Sequence, residues 1–288
     1  MVTERSAADA STVPASVAAA AVAGTGVVDV ARGPRRSVVT RAFAASPLRL
    51  LTPRNHGDAA WVYASTFGGG LVDGDALRMC VRVGRGATML LATQAATKVY
   101  RSARGTSAAL HAVVEPGALL AVLPDPVICF AGAAYRQDQR IDLHDEAALV
   151  YLDWCSSGRH ASGERWQFGR YESRLEIRRG GRVAAIDAIA LAPGDGDLAA
   201  RMGRFDVLAV IAIAGERLRE HADGILRRVS TLPVERQARM MTGASEIRGG
   251  GCFVRIAGTS VEDVAGAVRA YLAFLPALLG DDPWARKW

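Results

Sequence analysis

The sequence predicts a mainly β protein, and three observations carry the prediction. Strand-like runs recur about every ten residues between turn signals. Several of them alternate strictly between apolar and polar side chains, the period of a half-buried strand. No helical periodicity interrupts the first two hundred residues, which excludes an alternating βαβ plan. An all-β sandwich, a barrel or a stacked-sheet solenoid fits this rhythm.

Residues 27–30 and 37–43 form short strands joined by the turn Arg32-Gly33-Pro34. Residues 59–67 lead into three consecutive glycines. In the next strand, 77–83, Leu77, Met79, Val81 and Val83 face one side and Arg78, Cys80 and Arg82 the other. A turn at Gly84-Arg85-Gly86 precedes strand 88–93, which closes on the polar knot 93–98. Residues 106–114 alternate again and stop at Glu115-Pro116-Gly117. The apolar run 118–123 stops at Pro124-Asp125-Pro126, where two prolines force an extended turn. Strands at 127–130, 139–143, 147–154, 171–177 and 183–191 continue the series.

From about residue 206 the character changes. Residues 206–214 read as a strand buried on both faces. A helix over 216–229 carries Leu218, Ala222, Ile225 and Val229 on one face, and a strand pair spans 240–256. A last helix starts at Thr259 or Ser260, with Glu262 or Asp263 completing a capping box, and Pro276 should kink or end it. The chain thus reads as an Ala-rich disordered extension over 1–26, then a single β-rich domain over 27–288 with two C-terminal helices.

Composition narrows the function. Half of the 288 residues are hydrophobic, enough for a sizeable core. The net charge is +6, but the basic residues are scattered. The densest groups are Arg32 with Arg35 and Arg36, and Arg178 with Arg179 and Arg182. No basic run marks a nucleic-acid surface, so weak attraction for acidic proteins is the economical reading. The four cysteines lie far apart, without a C-x-x-C, which fits a reduced, cytoplasmic setting. No apolar stretch is long enough to span a membrane.

Catalytic signatures are missing. Gly68 and Gly70 begin a G-x-G, but Asp73 takes the third glycine position and a strand follows where a helix N-terminus is needed. There is no P-loop and no G-x-S-x-G elbow. Lys98 beside Thr93 and Thr97 has the ordinary reading of a side chain tying down its neighbours. The five histidines form no H-x-x-x-H. The richest segment runs from Asp153 through Cys155 and His160 to Glu164. These residues could share a divalent ion, but the favoured reading is a Ser/Gly-rich turn with Asp153 bound to backbone amides.

Four motifs in fixed order, GGGLVDGD, TQAATKVYR, LPDP and LDWCSSGRHASGERW, resemble the UreD urease accessory proteins. The resemblance runs from about Gly26 to the C-terminus. It implies a stacked-sheet, solenoid-like fold with two C-terminal helices, and a non-enzymatic scaffold and chaperone. It also implies as partners urease apoprotein and UreF, which holds the GTPase UreG, for nickel insertion into the urease metallocentre. A polar internal passage for nickel belongs to the same expectation. By the resemblance, Gly70, Gly74 and Asp75 occupy the glycine loop, and Thr93, Gln94, Thr97 and Lys98 the Thr-Gln-x-x-x-Lys motif. Pro124, Asp125 and Pro126 form the Pro-Asp-Pro turn. Asp153, Gly158, Arg159 and Glu164 fill the last motif. Asp75, Asp153 and Glu164 are the carboxylates expected to touch nickel transiently, with no tightly bound cofactor. The alternative is a small-molecule-binding β protein with enzymatic activity around 93–98 and 153–164.

Overall fold

The computed structural model describes residues 22–285. The first 21 residues of the expected Ala-rich extension lie outside the described residues. Two sheets and a helical layer make up the fold. One sheet contains β1 (Thr25–Arg32), β2 (Ser37–Ala44), β5 (Ala76–Val83), β8 (Thr106–Val114), β11 (Ala134–Leu143), β13 (Arg170–Arg179) and β14 (Arg182–Leu191). The second contains β3 (Leu48–Leu51), β4 (Ala60–Thr66), β6 (Thr88–Thr93), β9 (Leu119–Leu123), β12 (Ala148–Ser156), β15 (Val207–Ala214), β17 (Gly251–Gly258) and β16 (Met240–Glu246). Two short strands, β7 (Thr97–Val99) and β10 (Val127–Cys129), branch from β12.

The chain crosses between the sheets at each turn, so the middle strands of both are parallel. This is the solenoid plan. Successive coils of roughly thirty residues place Trp61, Leu90, Ala121 and Val150 in one register column. The facing sheet stacks Val81, Ala112, Ile141 and Ile177 in the same way.

Two kinds of strand sequence settle into two kinds of sheet. β5, β8, β11 and β13 alternate because their sheet has one wet face. That face carries an ion-pair ladder in which Arg140 and Arg178 grip Asp142, and His111 Nε2 lies 2.6 Å from it. β6, β9, β12 and β15 are nearly continuous apolar runs because their sheet is buried on both faces. Leu120 and Leu149 pack toward the first sheet, while Leu119 and Val150 pack toward the helices.

The helices are α1 (Leu198–Met202), α2 (Arg219–Ser230), α3 (Val261–Tyr271) and α4 (Leu275–Leu279). In α2 and the short 3-10 turn before it, the expected stripe Leu218, Ala222, Ile225 and Val229 is buried. Ser260 caps α3 by accepting from the amide of Asp263 at 3.1 Å. The last helix is two pieces, and the break falls before Pro276, which sits in the first turn of α4. Proline lacks the N–H that would reach back into the preceding turn, but at a helix start that N–H has no partner to lose.

Several elements differ from the sequence expectation, among them the short helix α1, which no expected helix covers. β3 and β7 are too short to show a period. β11 begins at Ala134 rather than near 139 because its inward positions include Gln137 and Gln139, which hide the alternation.

Candidate functional site

The glycine loop is held by close backbone approach. A 3-10 turn at Phe67–Gly69 delivers the chain to Gly70, where a Cβ would stand 2.6 Å from the carbonyl oxygen of Lys98. Only glycine allows the next residue to pair with β7: Leu71 donates to the Lys98 carbonyl at 2.8 Å, and Tyr100 donates to the Leu71 carbonyl at 3.0 Å. Gly74 then turns with φ +88°. Asp75 does not project as a free ligand; its carboxylate accepts from the amide of Val72 at 2.8 Å and closes the turn. The neighbouring Asp73 holds Arg104, and those hydrogen bonds keep its carboxyl below the usual range.

The Thr-Gln and Pro-Asp-Pro motifs meet. The Thr93 hydroxyl accepts from the amide of Asp125 at 2.7 Å and lies 3.4 Å from its Oδ2. Thr97 donates its amide to the carbonyl of Pro126 at 3.0 Å. The indole of Trp154 donates to the carbonyl of Pro124 at 2.9 Å. Lys98 acts through its backbone, paired with Ile128, while its side chain is exposed, as is that of Gln94.

Thr93, Thr97, Pro124, Asp125 and Asp153 all line one cavity of about 140 Å3 between the sheets. Much of the remaining wall is apolar, including Leu71, Met79, Leu91 and Val122, with Gln137 and Gln139 from β11. These two glutamines are site residues that sequence reasoning missed. Polar residues at inward strand positions were the available signal.

Asp153 anchors the inner end. Its side chain faces the first sheet, where the Ser173 hydroxyl donates to Oδ2 at 2.5 Å. Ser173 in turn accepts from Gln137 Nε2 at 2.9 Å, and Gln137 Oε1 accepts from the Tyr135 hydroxyl at 3.1 Å. Burial raises the Asp153 carboxyl above its ordinary value, against the hydrogen bonds from Ser173 and Gln137 that lower it. Asp153 is half-buried and lines the cavity.

The last motif is split. Cys155 is packed among apolar side chains, and burial pushes its thiol up. Burial likewise pushes Cys129 up to about 12. Glu164 pairs with Arg159, whose Nε donates to Oε2 at 3.0 Å, and also takes the amide of Ala131 at 3.2 Å. These bonds, the Arg159 one foremost, hold the Glu164 carboxyl below its usual range. Arg159 also covers the ring of Phe130 at 4.3 Å. Gly158 crosses with φ +134°, and the loop ends at Trp166, buried with φ +56° and its indole bound to the carbonyl of Phe205 at 3.0 Å. A bulky residue in that conformation is strained and must be held by its surroundings.

Asp75, Asp153 and Glu164 therefore do not assemble. Among the described residues no three His, Cys, Asp or Glu side chains converge to hold a metal ion. His160 is exposed, with Nε2 3.6 Å from Asp206. No helix of the described residues is long and apolar enough to cross a membrane.

Comparison with known proteins decides the family. A profile described as UreD urease accessory protein matches residues 23–288. The chain belongs to the UreD family. It is 53% identical over 266 residues to the urease accessory protein UreD of Sorangium cellulosum, covering 92% of this chain and 85% of that protein. It is 45% identical to the UreD of an Anaeromyxobacter species, covering 92% and 89%. Urease accessory protein D of Oryza sativa subsp. indica is 35% identical, covering 92% and 97%. Membership gives this UreD chain an accessory role in urease maturation and no catalytic one, which sets aside the enzymatic alternative around 93–98 and 153–164.

Proposed function

We propose that this protein is a scaffold and chaperone that binds urease apoprotein and UreF, with UreF holding the GTPase UreG, and supports GTP-dependent nickel insertion into urease. One observation carries the nickel part of the reading. Residues from three separate family motifs line a single cavity between the sheets, with Asp125 and Asp153 among them. Nickel is cargo here. Scattered oxygen donors suit a cation that must leave again, whereas a closed set of four soft ligands would retain it.

The helical side is the face we assign to UreF. α2 and α3 are amphipathic, and a surface groove runs along α3 over Leu152 and Trp154 with Glu262 and Arg269 at its rim. An apolar floor with a polar rim is the usual anatomy of a protein contact.

The test is co-expression with urease, UreF and UreG, followed by measurement of nickel per urease. Omitting this chain should leave urease largely without metal. Equal nickel content with and without the chain would overturn the reading.

A further inference from the structure

The space between the sheets is filled unevenly, for a reason visible in the strand sequences. At one end of the parallel strands the inward side chains are large. Met89, Leu120, Leu149 and Ile141 belong to one cluster there and are fully buried. At the other end several positions are small. Ala64 pairs with Thr93 in the second sheet, and Ala108 lies between Leu77 and Gln137 in the first. All five line the cavity of about 140 Å3, which occupies the side-chain volume missing at this level. Packed interiors rarely leave voids larger than a water molecule, so a space of this size is a feature of the fold.

The walls decide what the space can hold. Leu71, Met79, Leu91 and Val122 offer it no strong hydrogen bond. Its polar groups are largely committed. Gln137 spends both ends of its amide on Tyr135 and Ser173, and the Thr93 hydroxyl accepts from the amide of Asp125. A well-held buried water needs about two to four polar partners. Water filling this space finds few of them, and an apolar molecule gains by displacing it. Charge selects further. Asp125 and Asp153 repel an anion, while the apolar walls leave a resident cation without hydration over most of its surface. A neutral occupant is what remains. Apolar cavities of about 150 Å3 take one benzene ring, which sets the size. Gln139 and Asp153 line the same space and can meet one hydroxyl group.

We propose that the cavity between the sheets is a binding site for one small neutral molecule of the phenol class, a single apolar ring carrying a hydroxyl. The ring lies against Leu91 and Val122, and the hydroxyl turns toward Gln139 and Asp153. The site goes beyond the maturation role and does not rest on nickel delivery.

The experiment is calorimetric titration of the full chain at neutral pH with phenol, benzoate and benzylammonium, which share a ring and differ in charge. Phenol should bind saturably, one molecule per chain, with a dissociation constant on the order of 1 mM. Benzoate and benzylammonium should bind at least about tenfold more weakly. Ala108→Leu fills the space and should weaken phenol about tenfold or more while keeping a cooperative melt. Absence of saturable phenol binding to the wild type overturns the proposal. Equal affinity for either charged ligand overturns it as well, and so does a folded Ala108→Leu that binds phenol as the wild type does. Should Ala108→Leu not fold, nuclear Overhauser contacts in the wild type decide. Contacts from the phenol ring to the methyl groups of Leu91 and Val122 support the site, and binding without them overturns it. Nickel loading enters none of these measurements, so this proposal and the maturation reading can each fail alone.

Discussion

The hydroxyl of Ser173 donates to Oδ2 of Asp153 across 2.5 Å, joining β13 to β12 through the space between the two sheets. The bond partly offsets a carboxyl that burial drives toward its neutral form. A carboxyl whose value is raised on folding binds its proton more tightly in the folded state. The contribution of this one group is therefore most favourable below the ordinary aspartate value, about pH 4, and is lost as pH rises through it toward the folded value. Asp153→Asn should remove that loss: its Tm exceeds that of the wild type at neutral pH, and the two converge in acid. Ser173→Ala should extend the wild-type loss to higher pH. Nickel loading of urease should fall in Asp153→Asn despite the gain in Tm, a stability cost retained for function.

Glu164 has the opposite sign. Arg159 depresses its carboxyl, so the stabilising contribution is present above the ordinary glutamate value and disappears as pH falls through the lower folded value. Limited proteolysis across 157–166 should accelerate on acidification in the wild type. Arg159→Gln should already be cut faster at neutral pH and show a weaker dependence in acid.

Gly70 tests close packing without left-handed strain, because its φ of 168° is extended backbone open to any residue. The obstacle is the Lys98 carbonyl and the ring of Tyr100, which would lie 2.6 and 2.7 Å from a Cβ at this position. Gly70→Ala should therefore cost about 1–3 kcal/mol in denaturant unfolding, the range for overpacking. Gly69→Ala meets no neighbour within 4 Å and should cost less, through its φ of +72° alone.

The two arginine groups legible in the sequence part company in the structure. Arg179 Nη1 donates to the carbonyl of Gly249 at 2.6 Å and Nη2 to that of Asp145 at 3.3 Å, tying β13 to the β16–β17 hairpin. Arg35 and Arg36 are exposed at the β1–β2 tip. Thermal unfolding should show Arg179→Ala destabilised by about 1–2 kcal/mol, and Arg35→Gln with Arg36→Gln within about 0.5 kcal/mol of the wild type.

Much of the fold was legible because each strand carries its surroundings in its pattern. The alternation from Leu77 to Val83 told of a sheet with one wet face, and β5 occupies Ala76–Val83. The unbroken run Val207–Ala214 told of burial on both faces, and β15 lies between the first sheet and the helices. The coil repeat was not legible, because the equivalent residues Trp61, Leu90, Ala121 and Val150 share a burial environment and no chemistry. The site was half legible. Thr93, Asp125 and Asp153 stood in recognisable motifs and reach the same cavity, whereas Asp75 and Glu164 stood beside them in sequence and are spent on a turn and an ion pair. Sequence spacing carries no information about which carboxylates face inward across two sheets.

Strand direction has one more consequence. The parallel coils are bounded by reversals: β2 runs antiparallel to β1, β3 to β4, β14 to β13 and β15 to β12. A stack of parallel coils has no inherent length, since each coil offers the next the same template. The reversals act as end stops that count the coils. A duplicated coil inserted between β9 and β11 would meet matching edges on both sides, and it would lengthen the distance from Asp125 to Asp153. The spacing between the two carboxylates is thus fixed by the direct pairing of β9 with β12, one coil apart.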